Sequence, residues 1–193
     1  MSTSLSTPAV PVVAHGDVHS RTGPAYAWLA ATRIAVGFLM LWAFLDKLFG
    51  LGYSTPAAKS WLNGGSPTNG FLSHVAVGPL QGLFQSVAGS VVVDALFMFS
   101  LLGIGVAMIL GAGLRIAAVS NVVLMVGMWA AEWPLARFTT AGAASGSTNP
   151  FVDYHLVYAL IGIVFAYFAV ASRYGLGAWW SRRTLVQKNR WLL

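Results

Sequence analysis

Five carboxylates are present in this 193-residue chain, and four of them, Asp46, Asp94, Glu132 and Asp153, punctuate its long apolar runs. Asp46 closes the first run, Asp94 opens the second, Glu132 closes the third and Asp153 opens the fourth, so all four gather at one end of an antiparallel bundle. Lys47, Tyr154 and His155 stand beside two of these acids, and Trp129 and Trp133 flank Glu132. Such a set can relay protons through carboxylate and imidazole while an ammonium, a phenol and indoles donate hydrogen bonds. An acid at a helix N-terminus also complements the dipole, and for Asp94 or Asp153 alone that explanation suffices. Four acids at one end, with none at the other, point instead to a polar site, because ionisable groups within spans face the bundle interior and pair. Lys47, Glu132, Asp153 and His155 are the candidate catalytic residues. Asp46, Met128, Trp129, Trp133 and Tyr154 are the candidates for holding a cofactor.

The elements that must position these residues are apolar. The chain is 57% hydrophobic and 8% charged, with a mean hydropathy of +0.71, whereas a soluble domain carries roughly 25% charged residues. Four runs, at about 27–51, 91–110, 114–133 and 151–171, approach the roughly 20 residues that cross a bilayer. The expected fold is an all-α integral membrane protein, a four-helix transmembrane bundle with a long first extracytoplasmic loop carrying an interfacial or re-entrant helix at 71–87. A flexible N-terminal tail (1–25), the transmembrane domain (26–173) and a basic, aromatic interfacial C-terminal tail (174–193) are the expected divisions. Arg21, Arg115 and five basic residues of the tail fall on one side, while Lys59 and Arg137 fall on the other with Lys47 at its border. The positive-inside rule then places both termini in the cytoplasm of a multi-pass cell-membrane protein. The link between the second and third runs, "GAGLR", is short; the outer connections, 54–90 and 134–150, are long. The second of these, rich in small residues, reads as a lid or a flexible loop.

Helical spacing aligns Arg33, Gly37, Met40, Phe44 and Lys47 on one face of the first run, with Asp46 turned away. Arg33, a lone cation near the cytoplasmic end, is expected to snorkel to the headgroups. Asn121, Met125, Met128 and Glu132 make a stripe on the third run, and a polarizable methionine groove suits a flat ring such as a quinone. "WAFLDK" and "WAAEW" precede the two outer loops and "VVVDAL" and "PFVDYHL" follow them, a faint repeat of two helical hairpins.

Several chemistries are excluded or disfavoured. Without cysteine there is no disulfide, thiol catalysis, thiolate-bound iron–sulfur cluster or Cys-attached haem in this chain. His15 and His19 lie in the tail, His74 in a loop and His155 one turn into the last run, so no facing pair of histidines is set to bind haem. His155, His74 and Asp153 have no spacing that selects a metal, and none is expected. The net charge of +6 comes from the clustered tail rather than a basic soluble face, so the expected partner is the bilayer and not nucleic acid.

The first run, "RIAVGFLMLWAFLDKLFG", resembles the signature of the DoxX/DoxD family of small four-helix membrane proteins. Arg33, Gly37 and Lys47 match its Arg, its Gly four residues on and its outer Lys, while Ala43-Phe44 replaces a glycine the family often has there. The four-span plan extends the similarity over about residues 26–175. The resemblance implies a membrane subunit like that of thiosulfate:quinone oxidoreductase, interacting with quinone and working with a second protein subunit or a larger membrane complex. It equally implies the alternative of a non-catalytic accessory or assembly subunit of a respiratory or redox complex. A small-solute carrier is disfavoured, since Asn121 alone is polar at mid-bilayer.

Overall fold

The computed structural model describes residues 24–168 and 174–193. The N-terminal tail up to residue 23, Arg173 and the end of the fourth apolar run lie outside those residues. The described chain is helical, without strands: α1 (Pro24–Phe49), the short α2 (Asn69–Leu72) and α3 (Gln81–Ser86), α4 (Val91–Leu110), α5 (Leu114–Glu132), α6 (Tyr154–Tyr167), and the small α7 (Gly177–Ser181) and α8 (Thr184–Lys188). Three of them, α1, α4 and α5, are long and apolar enough to cross a membrane, and α6 is a shorter apolar helix of 14 residues. Pro24 opens α1, where its missing N–H costs nothing. Gly111 (φ 68°) and Gly113 (φ 67°) take the left-handed conformation that reverses the chain between α4 and α5 within three residues. Trp133 ends α5 at φ 45°, and Pro134 forbids its continuation.

α1 packs along α4 and α5 along α6, while contacts between α4 and α5 and between α1 and α6 close the ring. The α1–α4 crossing depends on two glycines. A Cβ on Gly37 would lie 2.9 Å from Met108 Cβ, and one on Gly105 would lie 2.7 Å from the Leu41 nitrogen. Close backbone approach of this kind is how helices associate where lipid removes the hydrophobic drive between them. Met40, Phe44, Met98, Ile104, Met108 and Phe165 fill the interior. The outward faces are apolar as well, with Phe38, Leu96, Phe99, Val119, Val123 and Leu160 exposed. Arg33, Asp46, Asp94, Asn121 and His155 are buried. Apolar outside with polar groups sequestered inside is the distribution a hydrocarbon solvent imposes.

The two ends of the bundle differ. At the link end the C-terminal segment folds under the bundle. The Leu176 N–H donates to Leu110 O (2.8 Å), the Arg115 N–H to Leu193 O (2.8 Å) and the Trp180 indole to Leu192 O (2.7 Å), and Val186 is buried. Arg33 departs from the snorkelling expected of it. Its guanidinium is 0% exposed and donates to the carbonyls of Met108 and Tyr174 and, at 3.4 Å, of Ile109. Two of these, Met108 and Ile109, are carbonyls at the C-terminus of α4, which carry the negative end of the helix dipole and have no intrahelical donor, and the third belongs to the segment after α6.

The loop end carries both long connections. The expected helix over 71–87 is instead α2 and α3, separated by a turn through Gly78 (φ +110°) and Pro79. The connection 134–150, expected as a lid or a flexible loop, is a tight reversal: an isolated bridge joins Phe138 and Ala144, and Ser145 Oγ and Ser147 Oγ donate to Ala136 O and Pro134 O. Both the N–H and the hydroxyl of Thr140 donate to Ala76 O at 3.1 Å, so the two long loops form one cap.

Candidate functional site

The four acids divide into two pairs with different duties. Asp46 is 1% exposed and accepts from the Tyr53 and Ser54 N–H groups (3.1 and 2.9 Å) and from Ser54 Oγ (2.6 Å). Asp94 accepts from the N–H and the hydroxyl of Thr68, at 3.0 and 2.6 Å. Both carboxylates therefore pin the first outer loop to helix ends, and each is satisfied by backbone and hydroxyl donors rather than by a cation. Asp46, expected to hold a cofactor, is committed to this loop.

Lys47, its neighbour, points elsewhere. It lines a cavity of about 610 Å³ between α4, α5 and the first loop. Phe71, Leu72, Phe97, Leu124 and Met128 contribute apolar wall, Ser100 and Ser120 add hydroxyls, and the cavity opens on the outward face between the exposed Leu96, Val119 and Val123. Lys47 forms no ion pair among the described residues. A single ammonium on the wall of an apolar chamber of this size fits a flat molecule with a carbonyl oxygen at one edge. A quinone ring has that form, so the residues present fit it.

Glu132 lines a second cavity of about 390 Å³, nearer the loop cap, with His74, Ser145 and Ser147. Phe71 and Ala131 line both chambers and form their shared wall. Beside it the remaining acids meet His155. Asp153 caps α6, its Oδ1 accepting from the Leu156 N–H at 3.2 Å, and its Oδ2 lies 2.8 Å from His155 Nδ1. Glu132 Oε1 accepts from the Tyr154 hydroxyl (3.1 Å), and its Oε2 lies 3.8 Å from the same Nδ1. The Tyr154 and His155 rings sit 4.0 Å apart, centroid to centroid. Trp129 and Trp133 pack on each other at 5.8 Å, and the Trp129 indole donates to Phe151 O at 3.3 Å.

The single outer site read from the sequence is thus resolved into parts. Lys47 and Met128 come together on the apolar chamber; Glu132, Asp153, His155 and Tyr154 come together at the α5–α6 corner. Trp129 and Trp133 brace the cap and line neither chamber. Sequence reasoning missed Thr68 and Ser54, the partners of the buried acids, and Ser100 and Ser120, whose hydroxyls inside apolar runs were the available signal. No protein-family model, curated protein or solved structure matches this chain.

Proposed function

We propose that this chain is a four-span, DoxX-like membrane protein with both termini in the cytoplasm, and that it acts as the quinone-facing subunit of an oxidoreductase of the thiosulfate:quinone type. The observation that carries the reading is the apolar chamber between α4 and α5, whose wall carries Lys47 without an acidic partner. Arg33, Gly37 and Lys47, the residues of the family resemblance, support it from separate duties: Arg33 closes the link end, Gly37 sets the α1–α4 crossing and Lys47 reaches the chamber. The charge distribution supports the orientation, because Arg33, Arg115, Arg182, Arg183, Lys188 and Arg190 lie at the link end and only Lys47, Lys59 and Arg137 at the loop end among the described residues.

Reducing a quinone takes two electrons and two protons. Lys47, on the cavity wall, would hold a bound quinone through one carbonyl oxygen and would favour negative charge there. Glu132, in the neighbouring chamber behind Phe71 and Ala131, serves proton exchange with the outer face, with Tyr154 and His155 holding its carboxylate. The chain has no thiol to carry electrons, and in this reading two thiosulfates would couple to tetrathionate at a second subunit and deliver the two electrons to the quinone. A competing reading, an accessory or assembly subunit, is favoured by Tyr53, Leu62 and Phe138, apolar side chains exposed on the loop end where a partner can dock.

The deciding experiment extracts the lipids of protein purified in mild detergent, assays them for quinone by mass spectrometry, and then supplies thiosulfate with a soluble quinone analogue. Co-purified quinone, with analogue binding weakened about tenfold or more in Lys47→Met, supports the chamber; a charged hydrogen bond is worth about 1.5–3 kcal/mol. Absence of quinone and turnover, with Lys47→Met binding the analogue as wild type does, favours the accessory subunit.

A further inference from the structure

The quinone reading uses Glu132 at the corner between α5 and α6 for proton exchange, but it does not use the convergence of three potential ligand atoms there. Glu132, the last residue of α5, Asp153, the N-cap of α6, and His155 each present a ligand atom, and the three atoms lie within 4.8 Å of one another. Each carboxylate spends one oxygen on an orienting hydrogen bond and turns the other toward the imidazole: Asp153 Oδ1 receives the Leu156 N–H and Glu132 Oε1 the Tyr154 hydroxyl. Outer partners of this kind fix the ligands of metal centres. The remaining oxygens stand 2.8 and 3.8 Å from His155 Nδ1, Asp153 Oδ2 within hydrogen-bond distance of it. Ligands at zinc distances of 2.0–2.2 Å in tetrahedral array are separated by about 3.3 Å, which lies between those values.

Charge points the same way. Neither carboxylate is paired with a lysine or arginine among the described residues; the imidazole is their sole partner in ion-pair range. His155 is 1% exposed, and Nδ1 is the ring nitrogen it turns to both carboxylates, while the unpartnered Nε2 lies on the far side of the ring. Two carboxylates converging on one buried imidazole leave negative charge that a divalent cation neutralises. Glu132 also opens on the cavity below the loop cap, which gives an ion a route from the loop end and room for water in the remaining coordination positions.

We propose that Glu132, Asp153 and His155 form a site for a divalent transition cation of the zinc class. One imidazole and two carboxylates suit such a borderline ion better than Ca²⁺ or Mg²⁺, which take oxygen alone. The test uses the full-length protein in detergent, stripped with chelator and then dialysed against micromolar Zn²⁺, with bound metal measured by mass spectrometry and thermal unfolding followed in parallel. One zinc per chain and a raised melting temperature are expected. Glu132→Gln, a half-exposed position that tolerates the change, is expected to weaken binding at least about tenfold, equivalent to about 1.4 kcal/mol. His74→Gln, on the same cavity but outside the trio, is expected to bind as wild type does. Absence of stoichiometric zinc in the folded wild-type protein, equal binding by Glu132→Gln, or an equal loss in His74→Gln would each overturn the site. None of these readouts involves quinone.

Discussion

At the scale of single residues, the most consequential side chain is Arg33. A guanidinium with no exposure to solvent ordinarily needs a carboxylate, yet the acceptors of Arg33 are three carbonyls contributed by α4 and by the segment after α6. Its planar fork reaches both elements at once, which a lysine ammonium on a single flexible stem does not reproduce. Arg33→Lys is therefore expected to lower stability by about 1–3 kcal/mol through carbonyls left without donors. Thermal unfolding in detergent measures this, and an unchanged melting temperature would show that water replaces the guanidinium at no cost. Asn121 plays a related part between α5 and α6: it is buried, donates to Tyr158 O at 2.8 Å and lies against Gly162. Its bond across the α5–α6 contact makes it polar glue between those helices.

At the scale of elements, the molecule is two helical hairpins, α1 with α4 and α5 with α6, each closed by a long loop at the same end. The repeat of Trp, acid and Val-Asp follows this division, but the hairpins use their acids differently. Asp46 and Asp94 bind the loop that joins their helices, whereas Glu132 and Asp153 turn to His155. The first hairpin depends on glycine at its crossing. Gly105→Leu is expected to cost about 1–3 kcal/mol by overpacking against Leu41. Gly103→Leu, two residues away where nothing lies within 4 Å of an added Cβ, serves as its control and is expected to be near neutral. Equal melting temperatures for the two variants would refute the close crossing.

At the scale of the whole molecule, the proposed orientation rests on the basic residues gathered at the link end. The natural absence of cysteine makes it directly measurable. Ala141→Cys, exposed on the loop cap, is expected to react with a membrane-impermeant maleimide in intact cells; Gln187→Cys, exposed on α8, is expected to react only after lysis. The reverse pattern would invert the topology and place the Glu132 cavity in the cytoplasm. The C-terminal segment packs against the link end, with Leu193 O bound by the Arg115 N–H and Val186 buried.

Helix extents were legible in the sequence because they depend on local hydropathy and on local breakers. The second and third apolar runs coincide with α4 and α5 to within a residue, and Gly111, Gly113 and Pro134 mark their ends. The stripe from Arg33 to Phe44 was legible for the same reason, since periodicity alone places its members on one face. The fate of each charge was not legible. Asp94 finds Thr68 across 26 residues and Arg33 finds Tyr174 across 141, and no local pattern encodes which backbone groups a folded loop will offer. The sequence by itself determined an apolar helical protein with its acids at one end. The tertiary structure alone decided which acids anchor loops, which converge on His155 and that Lys47 faces an apolar chamber, because burial drives polar groups to take partners and only the fold supplies the candidates.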